Sequence, residues 1–386
     1  MRSLLNKITM WRVIALVIFA TGFYATYLRF FKGWQAATNL SDAQPWGIWV
    51  GLATLCGVAL SAGGFAVAAA VHLLGMERYR PVARASVLIA FLGYLTVCAG
   101  YAYELGLPWR FYNVFIFWNH RSVLFDVCLC IMTYTTVLTF EVAPQLLEKL
   151  PWEWAHKLAH WQHRYVVALA LAGTLLSSMH QSFLGGLFLI MKGRIYPLWY
   201  SPYIHTMFYL TAIPSGMCMV IIAMYLSVRS LGVKLDYSIL TDLAKVSVPM
   251  LIIFAVFRVV DLLTHGGYKY LFLPRMETGY FWLENLLLVI LPIFLFTRKK
   301  VLETPVYLYW TACIEVMGLI ANRLNISITA MEDTTHAHYV PRWSELMLTL
   351  MVVAAAVVVF RLCVLYLDVL PRGEKRQSWL TAAASA

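Results

Sequence analysis

Two acidic residues and one histidine are the side chains in this sequence best placed to exchange protons. Glu104 ends one apolar segment, Asp126 begins the next, and His180 lies inside a third. None of them has a basic residue at helical spacing within its own apolar segment. A carboxylate among apolar side chains loses the hydration of its charged form, which suits proton exchange near neutral pH. We therefore predict Asp126, Glu104 and His180 as the catalytic residues of a proton-coupled reaction.

An aromatic segment, residues 107–121, separates the two acidic residues along the chain. Aromatic rings with a few hydrogen-bonding groups form slots that suit a flat, lipophilic ligand with two carbonyls. An aromatic belt at a membrane interface would give much of the same pattern. On the first interpretation, the binding residues are Tyr101, Trp109, Asn119, His120 and Gln181.

Further charged residues inside apolar segments have two predicted roles. Charged side chains are costly at membrane depth, and helix bundles tolerate them mainly as pairs. Arg258 and Asp261 are three residues apart, and Arg323 is expected to pair with Glu284 or Glu345. These five are predicted structural charge pairs. A proton path across the chain would use His72, Glu141 and Glu315.

The composition indicates an integral membrane protein. Of 386 residues, 61% are apolar and 13% are charged, whereas soluble domains have about 45–50% and about 25%. A chain of this size cannot hide that excess in a core. A soluble enzyme, a nucleic-acid-binding protein and a disordered chain are therefore excluded, and we expect the lipid bilayer, but no nucleic acid, as a partner.

Ten apolar segments are long enough to cross a membrane, which takes about 20 helical residues. The alternating pattern of a membrane barrel is absent, so the predicted fold is an all-α integral membrane protein with ten transmembrane helices. The segments are Trp11–Phe31, Ile48–Gly75, Val82–Glu104, Ser122–Ala143, Tyr165–Ile190, Tyr203–Val228, Val246–Thr264, Tyr280–Thr297, Pro305–Asn325 and Ser344–Tyr366.

The basic residues predict the orientation of these helices. If the N-terminus is cytoplasmic, 18 of the 30 Lys and Arg residues lie on the cytoplasmic side, three in each of six connecting or terminal segments. The positive-inside rule then places both termini in the cytoplasm of a multi-pass protein of the bacterial inner membrane. In this orientation Glu104, Asp126 and His180 lie toward the periplasmic face.

The whole chain, 1–386, is predicted to form one membrane domain. Residues 11–143 hold the first four helices, 144–164 a cytoplasmic amphipathic connector, 165–366 the other six helices and 367–386 a cytoplasmic tail. The seven cysteines fall in apolar stretches without a Cys-x-x-Cys spacing, so no metal site or iron–sulfur cluster is predicted.

Several stretches together resemble the NrfD/polysulfide-reductase-C family of quinone-interacting membrane subunits. The resemblance is closest to its ten-span branch, which includes the membrane subunits of hydrogenase-2 and of the high-molecular-weight cytochrome c complex. It covers nearly the whole chain and rests on the order of Pro45-Trp46-Gly47-Ile48-Trp49, Gly63-Gly64 leading to His72, Asn119-His120-Arg121-Ser122-Val123-Leu124-Phe125-Asp126, Met179-His180-Gln181-Ser182, Pro197-Leu198-Trp199, Arg258-x-x-Asp261, Phe281-Trp282-x-Glu284 and Trp343-Ser344-Glu345.

The resemblance implies a fold, a cofactor and partners. It implies two packed four-helix bundles plus two extra helices. It also implies that menaquinone or another quinone binds near the periplasmic face, with no haem or iron–sulfur cluster in this chain. Electrons would pass to or from a ferredoxin-like iron–sulfur subunit, with a multihaem cytochrome c or a hydrogenase and other membrane subunits in the complex. An acidic residue at the position of Asp126 is implicated in the quinone site, and the hydrogenase-2 type has Glu there.

Three other functions stay open on the sequence alone. A haem-b-binding anchor would need facing histidines, for which His180 and His205 are the best pair. A secondary transporter would use membrane-buried charges such as Glu315, but the matched broken helices of transporters are not evident. A third possibility is an anchor that carries no quinone and only connects its partners.

Overall fold

The chain folds into long helices joined by short connections. The structure, a computed structural model, describes residues 10–336 and 338–371. Every regular element in those residues is helical, apart from an isolated β-bridge at Val233. We number the ten long helices α1 (Met10–Lys32), α2 (Trp49–His72), α3 (Glu77–Glu104), α4 (Val123–Leu147), α5 (Val166–Met191), α6 (Ile204–Leu231), α7 (Tyr237–Thr264), α8 (Met276–Phe296), α9 (Pro305–Leu324) and α10 (Trp343–Tyr366).

The predicted all-α membrane fold is confirmed. Within the described residues, nine helices are long and apolar enough to cross a membrane, namely α1–α8 and α10. The remaining helix, α9, has 20 residues, among them the buried Glu315, Asn322 and Arg323. These polar side chains lower its apolar character, so the count of ten spans stays a prediction.

Eight of the helices form two four-helix bundles, as the resemblance implied. In the first bundle, α2 packs on α3 and α5, and α4 packs on α3 and α5. In the second bundle, α6 packs on α7 and α9, and α8 packs on α9 and α7. The tail 367–386 lies outside the described residues from position 372 onward.

The two bundles touch backbone to backbone where α2 meets α6. A Cβ atom on Gly63 would collide with the carbonyl oxygen of Gly216, and a Cβ on Gly216 would collide with the backbone nitrogen of Gly63. Only glycine permits this approach, which is how small residues bring membrane helices together. The interface therefore holds the bundles at a fixed separation.

The first and last long helices form an antiparallel pair beside the bundles. Gly22 of α1 lies against Met351 of α10, and the rings of Tyr24 and Trp343 stack 6.0 Å apart. The start of α1 and the end of α10 consequently lie at the same side of the molecule. We call this the termini side, and the other the opposite side.

A short helix, Glu153–Arg164, lies outside the bundles on the termini side. Ala155, Ala159 and Gln162 face the protein, whereas Trp152, Trp154 and Trp161 are exposed. This distribution is typical of a helix that lies along a membrane surface. Its position as a cytoplasmic connector stays a prediction.

Candidate functional site

Glu104 and Asp126 lie at the opposite side, at the ends of two helices that pack together. Glu104 is the last residue of α3, and its Oε2 atom is buried without a hydrogen-bond partner in the described residues. Asp126 lies in the first turn of α4, half-buried, and its carboxylate likewise makes no hydrogen bond or ion pair there. Both carboxylates therefore remain available for a proton or a ligand.

The backbone around Glu104 is held by the buried Arg29, which lies near the end of α1. The guanidinium of Arg29 donates to the carbonyl oxygens of Tyr103 (2.6 Å) and Leu105 (2.7 Å). It also stacks over the ring of Trp34, at 4.6 Å. Arg29 thus closes the C-terminal end of α3 without pairing with the Glu104 carboxylate.

The predicted binding residues occupy three different depths. Tyr101 is half-buried, one turn before Glu104, whereas Trp109 is 62% exposed. Asn119 and His120 are exposed in the same connection; His120 packs against Trp118 and Phe125. The connection therefore lines the surface, whereas Tyr101 and Glu104, on the preceding helix, face the bundle. Gln181 and His180 lie deeper, fully buried.

His180 belongs to a polar cluster inside the first bundle. The hydroxyl of Tyr94 lies 2.8 Å from His180 Nδ1, and the ring of Tyr134 packs edge-on against Tyr94. The Gln181 side chain donates to the carbonyl oxygen of Val58 at 2.8 Å. Within the described residues, four buried polar atoms of this cluster have no hydrogen-bond partner: Tyr134 OH, Ser177 Oγ, His180 Nε2 and Gln181 Oε1.

Three helices contribute a polar stripe to the interior of this bundle. The stripes follow helical spacing, with residues three, four or seven apart on one helix face. They consist of Tyr94, Cys98, Tyr101 and Glu104 on α3; Asp126, Cys130, Tyr134 and Glu141 on α4; and Gly173, Ser177 and His180 on α5. Glu141 faces α5, because a Cβ on Gly173 would lie 3.7 Å from both of its carboxylate oxygens. Together the stripes extend from Glu141 and Gly173, near the termini side, to Glu104 and Asp126 at the opposite side.

The second bundle contains a buried carboxylate whose oxygens are fully bonded. Trp199 Nε1 lies 3.0 Å from both oxygens of Glu284. Asn322 donates to Oε1 at 3.1 Å, and Asn325 donates to Oε2 at 2.6 Å. Glu284 is 2% exposed. The Glu284 carboxylate is therefore bound by the neutral side chains of Trp199, Asn322 and Asn325 and not by Arg323, the predicted partner.

Arg323 and Arg258 are also bound mainly by neutral groups. Arg323 donates to Asn322 (2.7 Å), Thr211 (2.8 Å) and the carbonyl oxygen of Phe208 (3.1 Å). Arg258 donates to the carbonyl oxygen of Leu198 and lies 3.9 Å from Asp261. The pairing of Arg258 with Asp261 is thus present but long.

Asp261 and Glu345 complete the predicted charge pairs. Asp261 accepts a 2.7 Å hydrogen bond from Ser201 and lies 3.1 Å from His265 Nδ1. Glu345 contacts no cation side chain in the described residues; it accepts from Tyr339 (2.6 Å) and from the backbone of Arg342 (2.7 Å). Burial and the bond to Glu345 raise the pKa of Tyr339, which therefore stays protonated as the donor.

The three residues of the predicted proton path do not lie on one line. His72 ends α2 at the termini side, and Glu141 lies in the first bundle. Glu315 belongs to the second bundle, where Ser215 donates to its Oε1 at 2.6 Å. Its Oε2 is buried without a partner in the described residues. The predicted proton path is therefore divided between the bundles, with His72 and Glu141 in the first and Glu315 in the second.

Sequence reasoning missed several residues of these clusters. Tyr94, Tyr134 and Ser177 could have been found from the periodic polar stripes, since they share helix faces with Glu104, Asp126 and His180. Trp199 could not, because its bond to Glu284 depends on how α8 packs against the connection between α5 and α6. Two π-helical turns, Leu286–Ile290 and Asn325–Thr329, flank the same carboxylate, and such turns are frequent at functional sites.

The geometry around the best histidine pair does not fit a haem. A haem between His180 and His205 needs open space between α5 and α6. The two helices touch there, since a Cβ on Gly185 would lie 2.5 Å from His205 Cα.

Comparison with known proteins decides the family. Residues 36–333 match the protein family described as "Polysulphide reductase, NrfD". This chain belongs to the NrfD family. The matched region contains α2–α9, so the NrfD region coincides with the two bundles, and the α1–α10 pair lies outside it.

Relatives of this NrfD-family chain match it along nearly its whole length. A protein of Nitratidesulfovibrio vulgaris is 33% identical over 372 residues, which cover 92% of this chain and 93% of the relative. The "Probable Ni/Fe-hydrogenase 2 b-type cytochrome subunit" of Escherichia coli is 28% identical, covering 88% and 87%. The "Menaquinone reductase, integral membrane subunit" of N. vulgaris is 27% identical, covering 96% and 94%. The resemblance to the family and to its hydrogenase-2 branch is confirmed.

Proposed function

We propose that this chain is the membrane subunit of a respiratory redox complex and that it exchanges protons with menaquinone or a related quinone at its opposite side. The observation that carries the proposal is the pair of unpartnered carboxylates, Glu104 and Asp126, at neighbouring helix ends. Membership of the NrfD family and the names of the menaquinone reductase and hydrogenase relatives support it.

The residues present fit a quinone better than a haem. The quinone, when bound, accepts or releases two electrons and two protons. Glu104 and Asp126 hold protons at the bundle edge, and Tyr101 offers a hydroxyl one turn deeper. The exposed rings of the 107–121 connection, among them Trp109, keep water from this edge, with Asn119 and His120 beside them.

A proton route to this edge runs through the first bundle. Glu141 lies nearest the termini side, and Tyr134, Ser177, Tyr94 and His180 lie between it and the edge carboxylates. Their buried polar atoms without partners would bind water with a gain of free energy, because an unsatisfied buried group costs about 1–3 kcal/mol. Such atoms suit groups that exchange hydrogen bonds. Glu315 lies in the second bundle, outside this route.

An iron–sulfur subunit is the proposed electron partner, together with a multihaem cytochrome c or a hydrogenase. The 107–121 connection offers it a surface on the opposite side, with Arg110 and Arg121 exposed among aromatic rings. We place this side at the periplasm of a bacterial inner membrane and both termini in the cytoplasm. The distribution of basic residues supports this orientation.

The test is the substitution Asp126→Asn in the complete complex. The amide keeps the shape of the side chain but cannot carry a proton, so quinone-linked turnover should fall by about 100-fold or more. Asp242→Asn, at the termini side, is the matched control and should leave turnover unchanged. The electron partner should still co-purify with the Asp126→Asn chain.

Two results would overturn this proposal. Turnover of Asp126→Asn at the wild-type rate would remove Asp126 from the site. An optical spectrum with a haem Soret band in proportion to this chain would replace the quinone subunit by a haem anchor, which the name of the E. coli relative makes worth measuring.

A further inference from the structure

An apolar groove separate from the proposed quinone edge lies where the two bundles meet α10. Its walls come from α2 and α3 of the first bundle, α6 of the second, and α10. It encloses about 420 Å³, a volume typical of ligand sites. Leu226, Val353 and Val357 on its rim are 43%, 45% and 59% exposed, so the groove opens sideways toward lipid.

The α6 wall of the groove has about the length of one lipid leaflet. On α6 its lining extends from Met219 to Leu231, about 18 Å at a rise of 1.5 Å per residue. Half of the hydrocarbon core of a bilayer is about 15 Å. On α2 the lining reaches Leu52, one turn from the opposite-side end of that helix, and on α6 it ends at the termini side, where α6 itself ends.

One unpaired cation marks the termini-side end of the groove. Arg361 lines it and has no hydrogen bond or ion pair in the described residues. Two other cations of this side are paired: Arg78 with Asp242 at 2.8 Å, and Arg84 with Glu148 at 3.3 Å. Ser227 and Ser230 lie at the same end of the groove. Their hydroxyls donate to their own helix and can still accept a hydrogen bond.

A neighbouring groove provides an internal comparison. It lies between α1, α3 and α10, encloses about 330 Å³ and is lined by apolar residues such as Phe19, Phe23 and Met351, with Thr96 as the polar exception. No charged residue lines it. It therefore offers a lipid chain a surface but gives a head group nothing to bind.

We propose that the groove at Arg361 binds an anionic phospholipid of the termini-side leaflet. The acyl chains lie along α3, α6 and α10, and the phosphate accepts hydrogen bonds from the Arg361 guanidinium, a geometry that Arg favours with phosphate. The bound lipid joins both bundles to α10, which packs mainly on α1 and α3.

The experiment is native mass spectrometry of the full chain, titrated with phosphatidylglycerol or with phosphatidylcholine of identical acyl chains. The wild type should bind phosphatidylglycerol about fivefold more tightly, as expected for one basic residue near a membrane surface. Arg361→Gln should abolish that preference. Lys299→Gln removes an exposed cation on the same side, outside the groove, and should preserve it.

A second variant tests the groove without changing charge. Val357→Trp narrows its open side and should weaken the binding of both lipids to a similar extent. The proposal is overturned if the wild type binds both lipids equally or if Arg361→Gln retains the preference. It is also overturned if the purified wild type carries a quinone, rather than a lipid, that is lost in Val357→Trp.

Discussion

The polar cluster around Glu284 in the second bundle and the polar cluster around His180 in the first differ in how completely their atoms are hydrogen-bonded. In the second bundle both oxygens of Glu284 are bonded, and Arg323 has three partners, although Arg323 Nε and Glu315 Oε2 have none in the described residues. In the first bundle, Glu104, Tyr134, Ser177, His180 and Gln181 each retain a buried polar atom without a partner in the described residues. A satisfied network stabilises one arrangement, whereas an unsatisfied one leaves room for protons and ligands to bind.

This difference distinguishes polar side chains with a structural role from polar side chains that can react. Polar side chains in a membrane bundle are often taken as one class of functional candidate. Here the partners distinguish them: Glu284 is held by Trp199, Asn322 and Asn325, whereas Asp126 has no hydrogen-bond partner among the described residues. We expect substitutions in the second bundle to change stability first and substitutions in the first bundle to change turnover first.

Removal of the Glu284 carboxylate should have the largest effect on stability. Glu284→Ala leaves the three buried donors Trp199, Asn322 and Asn325 without their acceptor, which we expect to cost about 3–5 kcal/mol, since each unsatisfied buried group costs about 1–3 kcal/mol. The thermal midpoint of the purified protein measures this loss. Glu277→Ala, half-buried on the same helix, is the control and should stay within about 0.5 kcal/mol of wild type. Equal thermal midpoints for the two variants would contradict a stabilising role of the Glu284 hydrogen bonds.

Removal of one donor in the second bundle should have a smaller effect. Ser215→Ala leaves Glu315 Oε1 without its 2.6 Å hydrogen bond, at a cost of about 1–3 kcal/mol. Ser178→Ala, a half-buried hydroxyl bonded only to its own helix, is the control and should be nearly neutral. Quinone-linked turnover should be unchanged in both, and a large loss of turnover in Ser215→Ala would move the proton route into the second bundle.

The smallest change in stability is expected from Tyr94→Phe in the first bundle. The substitution removes the hydroxyl at His180 and keeps the ring packing against Tyr134, so stability should fall by only about 1 kcal/mol. Turnover should nevertheless fall by about tenfold or more, because the proton route loses a member. Leu95→Ile, on the lipid-exposed face of the same helix, is the control. Unchanged turnover in Tyr94→Phe would exclude this residue from the route.

The sequence predicts the fold well because the membrane restricts it. Apolar length and the alternation of basic residues suffice for the helices, and family resemblance adds the two bundles. The helix α9 is less apolar than the others because Glu315, Asn322 and Arg323 face neighbouring helices rather than lipid. Periodicity alone cannot distinguish that helix from a buried soluble one.

The site is less predictable because partners come from other helices. Sequence reasoning expects Arg323 to pair with a carboxylate, yet amides and hydroxyls surround it, since the packing of α9 on α6 and α8 decides its neighbours. It also groups Trp109, Asn119 and His120 with His180, although the first three lie at the surface and His180 lies inside the bundle. The depth of each residue depends on the path of the 107–121 connection over the bundle, and no local sequence pattern specifies that path.

The most direct test of the central claim is a redox-induced infrared difference spectrum of the complete complex, which reports protonation of carboxyl groups as the quinone is reduced. We predict a carboxyl band that changes on reduction and is lost or shifted in Glu104→Gln or Asp126→Asn, and that persists in Glu315→Gln. A band that survives both first-bundle substitutions and disappears in Glu315→Gln would contradict the account and place the reactive carboxylate in the second bundle.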